Sequence, residues 1–301
     1  MSFASETKAE LCRAEVSAKC CAVAESCGVL MYCNTFTKDE IRIITESPHF
    51  AKRLPKLFRR AFGVQFDILP DDPDSGGKLI FAIDDPAKLD RVFEAYGVAR
   101  ESVLAHHINF GVLEEECCRQ SFMRGALLAG GSLTDPEKRY HLELVTDHFS
   151  VSRETQAMLL DMGFSPGVTS RSGHYITYFK NSEVIEDFLT TVGAPVAAME
   201  VMNAKIMKDM TNSVNRRVNC DTANVQKTVD AAAQQLAAIE SLRERGLLTS
   251  LPDKLLQTAN MRIENPELSL TELAALFDPP ITKSCLSHRL RKLVETARGH
   301  G

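Results

Sequence analysis

Residues 20–34 read CCAVAESCGVLMYCN, residues 117–131 read CCRQSFMRGALLAGG, and laying one on the other decides the fold. At an offset of 97, Cys20 meets Cys117, Gly28 meets Gly125 and Leu30 meets Leu127. The match continues downstream. FRRAFGV and MLLDMGF bring Gly63 onto Gly163 at an offset of 100, and DRVFEAYGV and EDFLTTVGA bring Gly97 onto Gly193 at 96. Self-similarity at a fixed period marks a duplicated structural unit. The drift in offset is a difference in loop length, because the turn PDDPDSGG of the first copy is longer than RSG of the second.

Each copy carries the same order of elements. An apolar helix, roughly Leu11 to Tyr32 or Glu114 to Ala129, precedes a β-type run at Ile41 to Ile44 or Leu142 to Val145. An amphipathic helix then ends at Gly63 or Gly163, where glycine suits a left-handed C-cap. A hairpin follows, with strands at Gln65 to Leu69 and Lys78 to Ile83, or at Val168 to Ser170 and Tyr175 to Phe179. A short helix, Pro86 to Tyr96 or Ser182 to Val192, closes the unit, and a further strand is expected within Asn34 to Glu40 or Leu133 to Arg139. Two αββαββα units of this kind predict an α+β pseudo-dimer.

The 301 residues suffice for two domains of ordinary size. With 44% hydrophobic and 25% charged residues, a wholly disordered or fibrous chain is excluded. No stretch approaches the roughly 20 apolar residues of a membrane span, and MSFASETKAELCRAE has charges where a signal peptide needs its apolar segment. A cytoplasmic protein is expected, with no membrane partner. The formal net charge is −5, so any nucleic-acid site must be local. Nine cysteines form neither an even disulfide framework nor a CxxC spacing; Cys20-Cys21 and Cys117-Cys118 are adjacent. Buried, reduced helix thiols are expected, with no metal and no cofactor.

In the second copy Gly125, Ala126, Ala129 and Gly130 form a stripe of small residues at helical spacing, which lets two backbones approach closely. With the duplication, this helix resembles the motif helix of the LAGLIDADG homing endonucleases. In that family an acidic residue ends each motif helix, and the two acids hold the divalent metal for phosphodiester hydrolysis. Here the corresponding positions are Cys33 and Gly130, so the resemblance implies the fold without the ligands that Mg²⁺ requires. Asp39, Glu40, Asp135 and Glu137 lie a turn or more beyond the helix ends. Val29 and Tyr32 stand where the second copy has Ala126 and Ala129, which predicts a looser helix pair. The hairpins offer phosphates little: Asp71, Asp72 and Asp74 in the first loop, and only Arg171, His174 and Lys180 near the second.

After Gly193, residues 197–210 and Asn224 to Arg245 are expected as two helices. The polar segment between them holds Arg216 and Arg217, readable either as an ordered connection or as phosphate contacts. Asp221 or Thr222 would cap the second helix. Further on, Asp253 to Glu264 forms a helix, Ser269 and Glu272 make a capping box opening Leu270 to Phe277, and DPPIT breaks the chain. The last helix, Lys283 to Ala297, buries Leu286, Leu290, Leu293 and Ala297 on one stripe. Ser284, His288 and Arg291 face away, with Ser287, Lys292 and Arg298 on the shoulders and Cys285 toward the flank, where packing is expected. From Lys283 to Arg298 there are five Lys/Arg, Arg289 included, against one Asp/Glu, giving +4. This pattern suits a helix-turn-helix whose last helix enters the major groove of double-stranded DNA.

MSFASETKAEL, GALLAGGS, NRRVNCDTAN followed by VQKTVDAA, and SLTELAALFDPPITKSCLSHRLRKL together resemble the WhiA family across nearly the whole chain. The resemblance implies a nuclease-inactive LAGLIDADG-like half and a DNA-binding helix-turn-helix. It also implies a nucleoid-associated regulator of cell division and chromosome segregation, and of sporulation in spore formers. The expected organisation is repeat 1 at 1–98, repeat 2 at 99–196, a helical linker at 197–250 and the helix-turn-helix at 251–301. Two alternatives are a metal-dependent endonuclease and a platform binding another regulatory or division protein through the N-terminal half.

Overall fold

The computed structural model describes residues 2–16, 18–102 and 105–299. It contains two compact units, Met1–Lys208 and Asp209–Gly301. In the first, α1 (Phe3–Leu11) precedes a copy made of α2 (Lys19–Tyr32), β1 (Thr35–Phe36), β2 (Ile41–Thr45), α3 (Pro48–Phe62), β3 (Leu79–Ile83) and α4 (Pro86–Ala95). The second copy is α5 (Glu116–Gly130), β4 (Gly131–Leu133), β5 (Leu142–Thr146), α6 (Phe149–Asp161), β6 (Gly167–Arg171), β7 (His174–Phe179) and α7 (Ser182–Val192). Both glycine-terminated helices form as expected: Gly63, at φ 68°, caps α3, and Gly163, at φ 88°, follows α6. A single buried core runs through both copies.

Three local expectations are corrected. The leading apolar helix is two helices, α1 and α2, with residue 17 between them outside the described residues. Arg53 accounts for part of the break, since its Nη1 donates to the carbonyls of Cys12 (3.0 Å) and Ala14 (2.7 Å), groups a continuous helix would use internally. The extra strand of the second copy, β4, starts directly at the end of α5. Among the described residues the first hairpin lacks its outer strand: the sheets run β1-β2-β3 and β4-β5-β7-β6, and a bridge from Ile68 to Ala82 stands where β6 lies in the second copy. Pro70 and Pro73 have no ladder donors, and the Asp67 carboxylate is occupied by the N–H groups of Asp84 and Asp85, each at 3.1 Å.

The centre of this unit is the α2–α5 pair. A Cβ built on Gly28 would lie 2.1 Å from the carbonyl oxygen of Phe122, and one on Gly125 would lie 2.0 Å from that of Glu25. Gly28 faces Phe122 and Ala126, while Gly125 faces Glu25 and Val29, so each contact repeats its mate at the offset of 97. The looser pair expected from Val29 and Tyr32 is therefore not what forms. Glycine meets backbone at the crossing, and Tyr32 swings into the second copy, donating to Thr155 Oγ1 at 2.8 Å. Beside the crossing the fully buried Glu25 carboxylate accepts from Arg53 (2.5 and 2.8 Å) and from Arg124 of α5 (3.3 Å).

α8 (Pro195–Glu244) is one helix of 50 residues, which corrects the expected pair of helices and polar connection. Between Pro195 at its start and Gly246 after its end the sequence has neither proline nor glycine. The polar residues stay within the helix by bonding one turn back: Arg216 Nε donates to the Asn212 carbonyl at 3.2 Å, and Thr228 Oγ1 to that of Asn224 at 3.0 Å. The boundary between the two units falls inside α8. The second unit adds α9 (Asp253–Glu264), α10 (Leu270–Ala275) and α11 (Lys283–Gly299). Ile239 and Leu242 of α8 pack with Leu255, Ala259, Leu273, Phe277, Leu286, Leu290 and Leu293 in its core. Among the described residues no helix is long and apolar enough to cross a membrane.

Candidate nucleic-acid interface

The three C-terminal helices are set by short-range rules the sequence obeys. Ser269 Oγ accepts from Glu272 N (3.3 Å) and the Glu272 carboxylate accepts from Ser269 N (2.9 Å), so the capping box forms and starts α10. The turn closes with Ile281 N donating to the Ala274 carbonyl at 3.2 Å, and Thr282 Oγ1 accepts from Cys285 N at 3.2 Å to open α11. Leu286, Leu290, Leu293 and Ala297 are buried, which fixes the rotation of α11.

That rotation leaves Ser284, His288 and Arg291 exposed on the opposite side and Ser287, Lys292 and Arg298 exposed on its shoulders, with Lys283 exposed at the start of the helix. Arg291 lies 3.8 Å from Glu295, an exposed ion pair that holds the guanidinium only weakly. Arg289 is placed differently: half-buried, its guanidinium sits 5.7 Å from the centre of the Phe277 ring, so its stem packs on the turn. Cys285, expected to pack, is exposed. Arg216 and Arg217 lie on an exposed stretch of α8 and not in an interhelical turn.

Sequence reasoning missed the residue that organises this unit. Arg262 on α9 is 1% exposed, and it donates to Gln235 Oε1 of α8 (3.0 Å) and to the carbonyls of Asn265 (3.3 Å) and Leu268 (2.8 Å). It joins α8 to α9 and to the turn before α10. Its one available signal was its place on the apolar side of α9, beside Leu255, Thr258 and Ala259. Burial lowers its pKa from the ordinary value.

In the first unit Cys33 and Gly130, which the resemblance places at the acid positions, are both closely packed. Cys33 caps α2, its thiol donating to the carbonyls of Leu30 (3.2 Å) and Thr35 (3.3 Å), and burial pushes its pKa up to about 12. Gly130 has no room for a side chain: a Cβ there would lie 2.5 Å from the Val145 carbonyl oxygen and 3.0 Å from Tyr32. On the hairpins, Asp74 pairs with Lys52 (2.6 Å), His174 pairs with Asp147, and Lys180 lies over the Tyr178 ring. Of the two adjacent pairs expected to be buried, Cys118 is buried and Cys21 half-buried, while Cys20 and Cys117 are exposed.

Two family models match the chain, the WhiA LAGLIDADG-like domain over residues 119–211 and the WhiA C-terminal HTH domain over residues 214–297. The chain belongs to the WhiA family. Relatives named probable cell division protein WhiA, from Ruminiclostridium cellulolyticum and Alkaliphilus oremlandii, are each 36% identical to it, covering 99% of this WhiA-family chain and 97% of their own length. Among solved structures, full-length WhiA from Thermatoga maritima aligns with a TM-score of 0.59 at 24% identity, over 99% of this chain and 98% of that one. The N-terminal LAGLIDADG domain of a WhiA aligns with a TM-score of 0.50 at 20% identity, over 64% and 92%. The LAGLIDADG-like fold and the helix-turn-helix expected from the sequence are both borne out.

Proposed function

We propose that this WhiA-family chain is a non-enzymatic, sequence-specific DNA-binding regulator acting in cell division, as its relatives' name implies. Chromosome segregation and, in spore formers, sporulation belong to the same proposal. The observation that carries it is the clean split of α11, with four apolar residues buried and Ser284, Ser287, His288 and Arg291 exposed on the other side of a helix whose local charge is positive. Small hydrogen-bonding residues near the start of such a helix suit base edges, while Lys283, Lys292 and Arg298 suit phosphates. The reading assigns 1–98 and 99–196 to the two repeats, 197–250 to a helical linker and 251–301 to recognition, with the protein associated with the nucleoid. Arg216 and Arg217 serve as further phosphate contacts.

The absence of cleavage is part of the same proposal, supported by the crowded Gly130 and by a Cys33 thiol engaged with backbone carbonyls. Binding selection from genomic fragments, followed by fluorescence anisotropy on the selected site, tests the first part. Arg291→Ala is expected to weaken specific binding by about 1 to 3 kcal/mol, while Lys292→Ala lowers affinity evenly across sequences and flattens the salt dependence. An Arg291→Ala protein with unchanged affinity and preference across a salt titration would refute α11 as the reader. Plasmid incubated with Mg²⁺ or Mn²⁺ is expected to remain uncut.

A further inference from the structure

The duplication repeats a pair of thiols as well as a helix. Cys20 and Cys21 are the second and third residues of α2, and Cys117 and Cys118 are the second and third residues of α5. Adjacent cysteines on one helix are a poor chelate by linear spacing. The pseudo-two-fold relation between α2 and α5 changes this, because it brings the two pairs to the same end of the helix crossing. The four Sγ atoms all lie within 4.8 Å of one another.

Four thiols at that separation match one kind of ligand. A zinc ion with four sulfur ligands at about 2.3 Å in a tetrahedron holds its sulfurs about 3.8 Å apart, so closing on an ion needs side-chain movements of about 1 Å. The donor set is entirely sulfur, which favours zinc over the hard cations of a nuclease site. Cys20 and Cys117 are exposed, Cys21 is half-buried and Cys118 is buried, giving an entry side and a dry floor. Among the described residues neither helix has a side-chain cap at its start, with Ala18 and Glu115 at the N-cap positions, so two positive helix ends lie beside the sulfurs.

We propose that Cys20, Cys21, Cys117 and Cys118 form a tetrathiolate site for one Zn²⁺, which fastens the start of α2 to the start of α5. Binding releases the thiol protons to solvent and changes no oxidation state. All four coordination positions are filled by protein, so the site is structural, with no place for a reactive water.

The full-length chain, purified in a reducing, zinc-supplemented buffer and then desalted, is expected to retain one Zn²⁺ per chain by plasma mass spectrometry. Replacing zinc with Co²⁺ is expected to give tetrahedral ligand-field bands and a sulfur-to-cobalt charge-transfer band. The double variant Cys20→Ser/Cys117→Ser alters only exposed positions, so its circular dichroism should match that of the zinc-free native chain. Its affinity for zinc should fall by more than the roughly 10- to 100-fold that outer-shell partners of a metal command. Zinc should raise the melting temperature of the native chain and leave that of the variant unchanged. Three results would overturn the proposal: no stoichiometric metal in the native chain, full metal retention by the variant, or a disulfide joining the two pairs that persists through purification in reducing buffer. Should the variant fail to fold, the cobalt spectrum of the native chain decides, and an octahedral aqua-type spectrum refutes the site.

Discussion

The two ends of the α2–α5 pair have kept different things from the same duplication. At their starts both copies carry adjacent cysteines, and the pseudo-two-fold turns a repeated pair into a four-membered cluster. At their ends the equivalent positions, Cys33 and Gly130, share no chemistry, and one of them has no room for a side chain. Symmetry multiplies a functional group only where both copies retain it. The middle of the pair combines both: the glycine crossing obeys the symmetry, while the ion cluster beside it does not, since Glu25 has Phe122 as its counterpart at the offset of 97 and draws arginines from both copies.

The sharpest way to break this contrast is to cut the middle and ask whether both ends fail together. Glu25→Ala leaves Arg53 and Arg124 facing one another in the core, and a loss of about 3 to 5 kcal/mol is expected from denaturant unfolding of the full chain. A change below about 1 kcal/mol would mean that the crossing glycines alone hold the pair.

A smaller effect is expected at the far end. Gly130→Asp puts an acid at the position that the resemblance assigns to a metal ligand, yet it must displace the Val145 carbonyl or the Tyr32 ring. We expect a loss of about 1 to 3 kcal/mol and no gain of DNA cleavage with Mg²⁺ or Mn²⁺. Cleavage by this variant alone would show that a single missing carboxylate separates the chain from the nucleases.

The smallest effect distinguishes the ends by what they respond to. Near the end of α2, His106 stacks on Phe36 and meets His148 edge-on, with ring centres 4.6 and 4.5 Å apart. Burial lowers both histidines below their ordinary value of 6.5; for His106 the neighbouring His148 adds to this, while Asp147 opposes it for His148. The unfolded chain therefore takes up protons first as pH falls through about 6.5. Stability is complete above that pH and declines below it, levelling once the folded histidines also protonate. Denaturant midpoints at pH 7.5 and 5.5 should show the decline, and His106→Asn should flatten it. The thiol end, by contrast, should respond to chelator.

Much of this was legible in the sequence because it is local. The glycines that end α3 and follow α6, the capping box at Ser269 and the apolar stripe of α11 each rest on spacing within a few turns, and each is found in the structure; the offset of 97 is long-range but legible because the sequence repeats itself. What was illegible depends on partners distant in the chain. Cysteine ligation judged by linear spacing misses a site assembled by symmetry, although Cys20 and Cys117 share their offset with Gly28 and Gly125. The asparagines of residues 212–224 favour turns as single residues, but a helix with no proline or glycine absorbs them. The role of Arg262 rests on Gln235, which is 27 residues away.

Glu10, in the first helix of the chain, accepts hydrogen bonds from Val196 N (2.7 Å) and Ala197 N (2.9 Å), at the first turn of α8. Lys8 likewise donates to the Leu128 carbonyl at 3.2 Å. During translation α1 therefore leaves the ribosome well before its last partners, since both duplicated copies must emerge before Ala197 is available. Its apolar residues, Ala9 and Leu11, can settle against the first copy early, but the polar anchors of Lys8 and Glu10 close only when the second copy and the start of α8 have emerged.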